Sequence, residues 1–466
     1  MKKVIPIYFQ EGFILFEKLF KLREHNVTVG SEITAGLTTF MTMAYILAVN
    51  PQILGVAGLN PGGVLIATAI SSFIACVCMA FFANLPFALA PGMGLNAYFS
   101  FVVVKQMGYS WQLALFAVFV EGIIFILLSL TSVRESIFNA IPLSLKHAIS
   151  AGIGLFIALI GLQNAGLVVS DDATLVKLSS FRENFNSAGI TAILCFIGVL
   201  LIAVLSHKKV KGAILIGILG SWGIGMLFQA VGLYVPNIEK GYFSLYPTMA
   251  APDFSGFGEI AFQGFKLDFS KVHWLDYIVV ILAFLFVDIF DTIGTLVGVA
   301  SKADMLDEEG KLPGIKGALL ADAVGTLAGA ALGTSTVTTY VESSAGVAEG
   351  GRTGLTALTT GVLFLVAIIL SPIFIAIPAF ATAAALIYVG FLMLGSMLKV
   401  DFTDVTEAFP SYIAVIAMPF FYSIAEGISF GIIFYVILNL LTGKKEKVSA
   451  LMIVLAILFV LKYAFL

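Results

Sequence analysis

Long apolar runs recur along the chain, each about as long as a helix that crosses a lipid bilayer. Such a helix needs about 20 mostly apolar residues to cross a hydrocarbon core ~30 Å thick. Fourteen runs fit this pattern, and a further apolar run, 449–466, either crosses once more or lies along the membrane interface. We therefore predict an all-α polytopic membrane protein. The predicted spans are 30–48, 63–83, 88–104, 111–130, 147–165, 188–206, 212–232, 275–299, 317–332, 336–350, 354–371, 377–398, 409–421 and 424–442.

Two of these runs are interrupted by residues that break a helix. Residues 86–99 (PFALAPGMGLNAYF) contain prolines and glycines, and residues 334–354 (TSTVTTYVESSAGVAEGGRTG) are rich in β-branched residues and then in glycine. Non-helical backbone at membrane depth persists only where protein or a cavity satisfies its polar groups. Both breaks are therefore predicted to border a central site.

The segments before the two breaks resemble each other. Leu65, Ala67 and Ala69 of LIATAISSF (65–73) recur at the same spacing in LLADAVGTL (319–327). This similarity predicts a duplicated seven-span unit, and because seven is odd, the second copy enters the membrane from the opposite side. Interrupted helices at corresponding positions of two inverted halves indicate the substrate site of a transporter.

Composition agrees with a membrane protein and excludes a water-soluble one. Hydrophobic residues make up 60% of the 466 residues and charged residues 11%, whereas soluble domains are about 45–50% apolar and about 25% charged. The net charge of −3 gives no indication of nucleic acid binding. The three cysteines lie in apolar runs, so neither a disulfide nor a metal site is predicted.

Loop charges predict the orientation. With the N-terminus inside, eighteen Lys and Arg residues fall in inside segments and six in outside segments, and Lys462 is unassigned, which accounts for all 25. Cytoplasmic loops normally carry the excess of Lys and Arg. We therefore expect a multi-pass protein of the plasma or inner membrane with a cytoplasmic N-terminus.

The eighth predicted span carries two acids within an apolar helix. In FLFVDIFDTIGT (284–295), Asp288, Asp291 and Thr292 share one helical face, because Asp291 and Thr292 lie three and four residues after Asp288. Acids inside spans are costly and usually functional. We predict that these residues face the central cavity; the alternative is a pair of acids at a helix end in the interface.

The two breaks supply further candidate ligands. Glu342 lies where a short strand would join a half helix, so it is predicted to contact the ligand, the alternative being an ordinary cap of that helix. Asn96 is either a ligand or a helix cap. Ser343, Ser344 and Thr339 offer hydroxyls, and the rings of Phe87 and Phe99 could stack on a ligand.

Other buried polar residues leave two interpretations open. Glu121 and Asp322 could relay protons or pair with polar groups of neighbouring helices. No histidine lies centrally in a span, which argues against a histidine proton switch.

The energy source is predicted to be a gradient. The sequence has no G-x-x-x-x-G-K-[ST] segment. A buried carboxylate changes its proton affinity with its surroundings, which favours the proton as coupling ion and leaves sodium open. No cofactor and no catalytic activity are predicted.

Four stretches together are typical of one family. They are ITAGLTTFMTMAYILAVNP (33–51), ALAPGMGLNAYF (88–99), FVDIFDTIGTLVGVA (286–300) and TTYVESSAGVAEGGRTGLTAL (338–358). The chain resembles the azaguanine-type (AzgA-like) purine permeases, a branch of the nucleobase–cation symporter group in the xanthine and uracil permease superfamily, and the resemblance covers nearly its whole length.

The resemblance implies a uracil-permease-like fold of 7+7 inverted spans, in which the third and tenth spans begin as short strands. It also implies a core domain and a gate domain that alternate along the chain. The core domain would comprise 1–146 and 275–372, and the gate domain 147–232 and 373–466, with an outer loop at 233–274.

The family's substrates are adenine, guanine or hypoxanthine, which move with protons. Its binding residues match Asn96, Asp288, Asp291 and Glu342, and Thr292 stands where some pyrimidine and xanthine relatives have a histidine. The resemblance therefore implies a purine site at these positions, and the replaced histidine weakens the case for uracil.

We expect proton-coupled purine uptake by alternating access. Glu342 and Asp288 would accept ring N–H bonds, Thr292, Ser343 and Phe87 would add contacts, and Asp291, Asp288 or Glu342 would carry the proton. Two carboxylate acceptors favour guanine or hypoxanthine. The alternatives are an adenine permease of the same family, an anion transporter of the same fold, and a receptor or membrane enzyme.

We expect membrane lipid to surround the protein, and whether the protein forms a homodimer stays open.

Overall fold

The computed structural model describes residues 16–129, 142–182, 185–237, 242–247, 251–268, 272–302, 305 and 312–465. Six of the basic residues used in the charge count lie outside these ranges, namely Lys2, Lys3, Arg134, Lys240, Lys271 and Lys311.

Helices dominate the described residues, and four short strands accompany them. The helices are α1 (Val29–Met43), α2 (Ile46–Val56), α3 (Pro61–Cys78), α4 (Met93–Ala97), α5 (Trp111–Ser129), α6 (Leu143–Asn164), α7 (Ile190–His207), α8 (Ala213–Ala230), α9 (Phe254–Ile260), α10 (Trp274–Lys302), α11 (Ile315–Leu332), α12 (Ser343–Ala348), α13 (Gly354–Ala367), α14 (Ser371–Ala376), α15 (Ala379–Leu394), α16 (Val405–Phe420), α17 (Ile424–Leu441) and α18 (Ala450–Phe465). The strands are β1 (Leu89–Pro91), β2 (Val168–Asp171), β3 (Leu175–Leu178) and β4 (Val337–Thr339).

Each of the fourteen predicted spans coincides with helix, except where the two breaks interrupt it. Within the described residues, ten helices are long and apolar enough to cross a membrane, and Val405–Phe420 is a shorter apolar helix. The first span is longer than predicted, because α1 and α2 together extend to Val56 and include Pro51 inside a helix. Neighbouring helices can satisfy the backbone that such a proline leaves unpaired.

The two predicted breaks meet as a two-stranded antiparallel ladder. β1 pairs with β4 in the register Leu89↔Thr339, Ala90↔Thr338 and Pro91↔Val337. Each strand leads into a short helix, β1 into α4 and β4 into α12. The prediction of strands at the start of the third and tenth spans is confirmed.

The long helices pack in two groups. In the first, here called the ladder group, α3 packs on α11 and α13, α5 on α11, and α1 on α12 and α13. In the second, the flanking group, α6 packs on α15 and α16, α7 on α8 and α15, and α16 on α17. The sequence boundaries predicted for a core and a gate domain stay a prediction.

Close helix contact in the flanking group depends on glycine. A Cβ on Gly154 of α6 would lie 2.7 Å from the carbonyl oxygen of Gly390 in α15, and a Cβ on Gly390 would lie 2.4 Å from that of Gly154. Both distances are shorter than real Cβ contacts, so these two helices touch backbone to backbone.

The final apolar run forms α18, which packs antiparallel to α17. The ring of Tyr463 lies 5.2 Å from that of Phe430, and its hydroxyl donates to Glu426 in the first turn of α17. One face of α18 is buried, including Met452 and Phe459, whereas its other faces expose large aliphatic side chains. The helix therefore lies beside a predicted span over nearly its whole length.

Candidate functional site

The β1–β4 ladder places the starts of α4 and α12 side by side. Outside the strand register, the amide of Gly92 donates to Thr336 and the amide of Tyr340 donates to Ala88, each at 3.0 Å. Gly92 is required here, since a Cβ would lie 2.6 Å from the Thr338 side chain. The ladder thus brings residues from the two halves of the chain to one place.

Glu342 is the residue immediately before α12, at its N-cap. Its carboxylate accepts a hydrogen bond of 2.7 Å from the hydroxyl of Tyr45, between α1 and α2. Its carbonyl oxygen accepts from the hydroxyl of Thr42 at 3.4 Å. The predicted position at the join of strand and half helix is confirmed, and the first span holds Glu342 from the side.

Asp288 and Thr292 lie on one face of α10, buried against the ladder. The Thr292 hydroxyl is 2.8 Å from Asp322 Oδ1 of α11, 3.4 Å from Asp288 Oδ1 and 2.7 Å from the Thr338 hydroxyl of β4. A hydroxyl has one proton to donate, and the shorter distance favours Asp322 as its acceptor. Thr292 therefore connects Asp288, Asp322 and the ladder.

Asp291 lies three residues after Asp288 in α10, which is about one helical turn. Its carboxylate is close enough to that of Glu342 for electrostatic interaction, and both carboxylates are close enough to Tyr45 and Tyr340 for the same. The structure thus brings Asp291 towards the second break. Its predicted partnership with Asp288 stays a prediction.

Asn96 is buried in the middle of α4. The residue at the N-cap of α4 is Gly92, so the alternative of Asn96 as the cap is wrong. Its amide nitrogen reaches the carbonyl of Pro91 at 3.4 Å, and within the described residues its amide oxygen has no hydrogen-bond partner. A buried acceptor without a partner is costly, which fits a group that a ligand would satisfy.

The other predicted contacts are buried around the ladder. Ser343 accepts a 3.0 Å hydrogen bond from the amide of Ala88, so its oxygen already links the two breaks. Thr339 reaches Asp322 Oδ1 at 3.5 Å. Phe87 and Phe99 are fully buried. Ligand contact by these side chains stays a prediction.

Two tyrosines of the site were missed from the sequence. Tyr45 holds Glu342, and the Tyr340 hydroxyl donates to the carbonyl of Pro91 at 2.5 Å. Tyrosine in an apolar run looks like a packing residue. The available signal was that a buried phenol needs a hydrogen-bond partner, which at membrane depth must be another protein group.

Glu32 was also missed, because it lies at the start of the first span, where acids are common. It is fully buried and accepts hydrogen bonds from the backbone amides of Arg352, Thr353 and Thr356 at 2.8–3.2 Å. The Thr356 hydroxyl adds a bond of 2.6 Å. Glu32 therefore accepts from amides at the start of α13 that have no partner inside the helix. It thereby holds the end of the second break in place.

Four acids, Asp288, Asp291, Asp322 and Glu342, come together here from α10, α11 and the start of α12. The partners described above for Asp322 and Glu342 are hydroxyl groups, which can bond a carboxylate or its protonated form. Glu121 is buried on α5, which packs on α11. Its role as relay or structural group stays open.

Within the described residues, no group of three or more His, Cys, Asp or Glu side chains is arranged to hold a metal ion. The three cysteines are free thiols.

Comparison with known proteins identifies relatives over nearly the whole chain. The model of the permease family (Xan_ur_permease) matches residues 30–430. A putative permease of Methanocaldococcus jannaschii is 46% identical over 97% of this chain and 98% of its own length. The adenine permease AdeP of Escherichia coli is 41% identical over 97% and 96%. The guanine/hypoxanthine permease PbuO of Bacillus subtilis is 43% identical over 95% and 98%.

Solved structures share the fold. The transmembrane domain of the cyanobacterial bicarbonate transporter BicA gives a TM-score of 0.61 at 15% identity, covering 85% of this chain and 97% of that domain. The murine Solute Carrier 26 family member A9 anion transporter in the inward-facing state gives 0.59 at 10% identity, covering 95% and 73%. The predicted inverted-repeat fold is thereby confirmed.

Proposed function

Because the chain belongs to the permease family (Xan_ur_permease) and is a multi-pass membrane transporter rather than an enzyme, we propose that it takes up purine bases together with protons. The observation that carries this proposal is the meeting of Glu342, Asp288 and Asn96 around the β1–β4 ladder. These groups match the hydrogen-bonding edges of a flat, neutral base.

Guanine and hypoxanthine are the substrates we favour. Both present an N–H beside a carbonyl, so the carboxylate of Glu342 or Asp288 would accept from the N–H in a charge-assisted bond. Adenine presents a ring acceptor and an exocyclic amine instead, which requires a protonated acid at the same place. Overall similarity does not separate the two, since the adenine and guanine/hypoxanthine permeases compared above are 41% and 43% identical to this chain.

The proton would be carried by the acids of the same site. Asp291 and Glu342 lie within electrostatic range of each other, and two carboxylates that interact strongly titrate as a pair. A purine N–H that bonds one of them changes the proton affinity of the other. Substrate and proton binding would thus be linked without a separate ion site.

Uptake by proteoliposomes under an imposed pH gradient tests the proposal. Labelled guanine, hypoxanthine, adenine and uracil are compared with and without a protonophore. We expect guanine and hypoxanthine to accumulate and the protonophore to abolish accumulation. Accumulation that follows a sodium gradient instead would overturn proton coupling, and accumulation of adenine alone would overturn the choice of base.

Variants at the site test the residues. Asp288→Asn and Glu342→Gln should each reduce purine uptake at least tenfold, because each loses a charge-assisted bond. The matched control is Asp172→Asn, an exposed acid in the turn between β2 and β3. If both site variants accumulate purine as the parent does, the site assignment is wrong.

Anion transport is the competing function, because the related folds described above carry anions by their titles. The acids around the ladder oppose it, since they would repel an anion. Competition of hypoxanthine uptake by unlabelled purine and not by sulfate would separate purine transport from anion transport.

For the orientation, we propose that the N-terminus lies in the cytoplasm.

A further inference from the structure

α12 connects the candidate site to the surface of the molecule. It has six residues, so at 1.5 Å per residue it is about 9 Å long. Glu342 precedes its first residue and Glu349 follows its last. Two acidic residues, one of them in the candidate site, therefore flank one short helix.

Glu349 forms an ion pair with the other group of helices. Its Oε2 lies 2.5 Å from Nζ of Lys211, in the loop between α7 and α8. Both side chains are partly exposed, 48% for Lys211 and 31% for Glu349. The ion pair thus joins the ladder group to the flanking group at the end of the molecule where α7 ends and α8 begins.

The same loop touches the first span. Gly212 has a φ of +71°, and a Cβ there would lie 3.3 Å from the carbonyl oxygen of Met41 in α1. Other ion pairs do not join the ladder group to the flanking group. Lys177 and Asp171 pair within the β2–β3 hairpin. Lys447 pairs with Glu407 within the flanking group and the segment that follows it. The α7–α8 loop therefore closes over the ladder group at this end.

α12 contacts neighbouring groups in its middle and at its C-terminal end. A Cβ on Gly346 would lie 2.1 Å from the Thr39 hydroxyl and 2.6 Å from the carbonyl of Ala35, so this helix touches α1 directly. The guanidinium of Arg352 donates to the carbonyl of Val347 at 2.7 Å and closes its C-terminal end. Because α12 is short, we expect a displacement of Glu349 to reach Glu342 through this helix.

We propose that Lys211 and Glu349 are positioning residues for the substrate site, which hold α12 and with it Glu342 while this end of the molecule is closed. The proposal rests on the transport by alternating access proposed above, in which the ladder group moves against the flanking group. The ion pair must then break whenever this end opens. Partly exposed ion pairs are weak, which suits a contact that breaks in every cycle.

A charge swap tests the proposal. Lys211→Glu and Glu349→Lys each place like charges together, and the double variant restores an ion pair in reverse. In each single variant the closed state is less populated, so the apparent affinity for labelled hypoxanthine should fall about two- to fivefold. The double variant should recover at least half of the loss, and Lys177→Glu, which breaks the hairpin ion pair, should have no effect.

A second readout requires no purine. In a chain whose three native cysteines are replaced by alanine, the half-buried Ser344 of α12 is changed to cysteine and its alkylation by a membrane-permeant maleimide is timed. We expect alkylation to be faster with Lys211→Glu and to return towards the starting rate in the charge swap.

The two readouts separate the two proposals. If alkylation responds as expected but no purine is transported, the proposed substrate is wrong and the positioning role stands. If purine is transported but neither affinity nor alkylation responds to the swap, or if Lys177→Glu has the same effect, the positioning role is overturned.

Discussion

The hydroxyl of Tyr45 is the group whose removal tests the site most sharply at the level of one residue. It donates to the carboxylate of Glu342 at 2.7 Å, and a hydrogen bond to a charged group contributes about 1.5–3 kcal/mol. Tyr45→Phe keeps the ring and removes only this donor. We expect the purine concentration at half-maximal uptake to rise about tenfold or more, since 1.4 kcal/mol corresponds to a factor of ten.

The control for this variant is Tyr109→Phe. The Tyr109 hydroxyl also donates to the protein, to the carbonyl of His273 at 3.4 Å, but at the start of α10, away from the ladder. Uptake by Tyr109→Phe should match the parent within twofold. An equal loss of apparent affinity in both variants would contradict a specific role at the site.

Single residues differ in how clearly the sequence indicates their role. Asp288, Asp291 and Glu342 were predictable because a charge inside an apolar span is costly and stands out. Tyr45 and Tyr340 were not, since tyrosine occurs both in cores and at sites. Glu32 was not predictable either, because its partners are backbone amides 320 to 324 residues away. No pattern of side chains in the sequence indicates such a contact.

Elements were predictable where the pattern is local. The broken spans follow from the prolines and glycines of 86–99 and the β-branched run of 334–354. Their antiparallel register was not predictable, since it depends on the fit of Gly92 against Thr338 across the ladder. The first predicted span ends at residue 48, whereas α2 continues through Pro51 to Val56.

Helix contact in the flanking group gives a prediction at the level of elements. In Gly154→Ala, the new methyl group would lie 2.7 Å from the carbonyl of Gly390, so α6 and α15 must separate. Overpacking of this kind costs about 1–3 kcal/mol. We expect a clearly lower melting temperature in detergent, measured by fluorescence.

Gly223→Ala is the matched control. Gly223 lies in α8 of the same group, and a Cβ there meets no atom within 4 Å. Alanine also favours a helix more than glycine does, so this variant should be as stable as the parent or slightly more stable. If Gly154→Ala has the same melting temperature as Gly223→Ala, α6 and α15 can separate without loss of stability.

At the scale of the whole molecule, we expect α18 to add a membrane crossing beyond the inverted repeat. Its end contacts the first turn of α17 through Tyr463 and Glu426, and its start follows the end of α17 by a few residues. Because α17 is long and apolar enough to be a span, we expect α18, which packs along it, to pass through the same depth. We expect the C-terminus to lie on the side opposite to the loop after Leu441.

Reporter fusions measure this directly. An enzyme reporter active on only one side of the membrane is fused after Lys447 in one chain and after Leu466 in another. The two fusions should report opposite sides. Equal reports would mean that α18 lies along the interface and that its contacts with Glu426 and Phe430 are not those of a span.

The overall architecture, like the single elements, was predictable in part. Apolar runs indicated the spans, and the similarity of LIATAISSF to LLADAVGTL indicated the inverted repeat. The orientation inferred from loop charges stays a prediction. Which helices of the two halves touch was not predictable. Those contacts depend on side-chain shape at long range, and no local pattern encodes it.

The β1–β4 ladder has a consequence for the order in which the protein folds. Leu89 and Thr339 are paired although 250 residues separate them. Contacts between distant segments of a chain form late, because closing the long intervening loop costs conformational entropy. Helices of the first half therefore enter the membrane during synthesis with an unpaired strand, and the site is completed only after the second half has been inserted. A base that binds the finished ladder would stabilise the newly made protein by mass action, so its cargo would also assist its maturation.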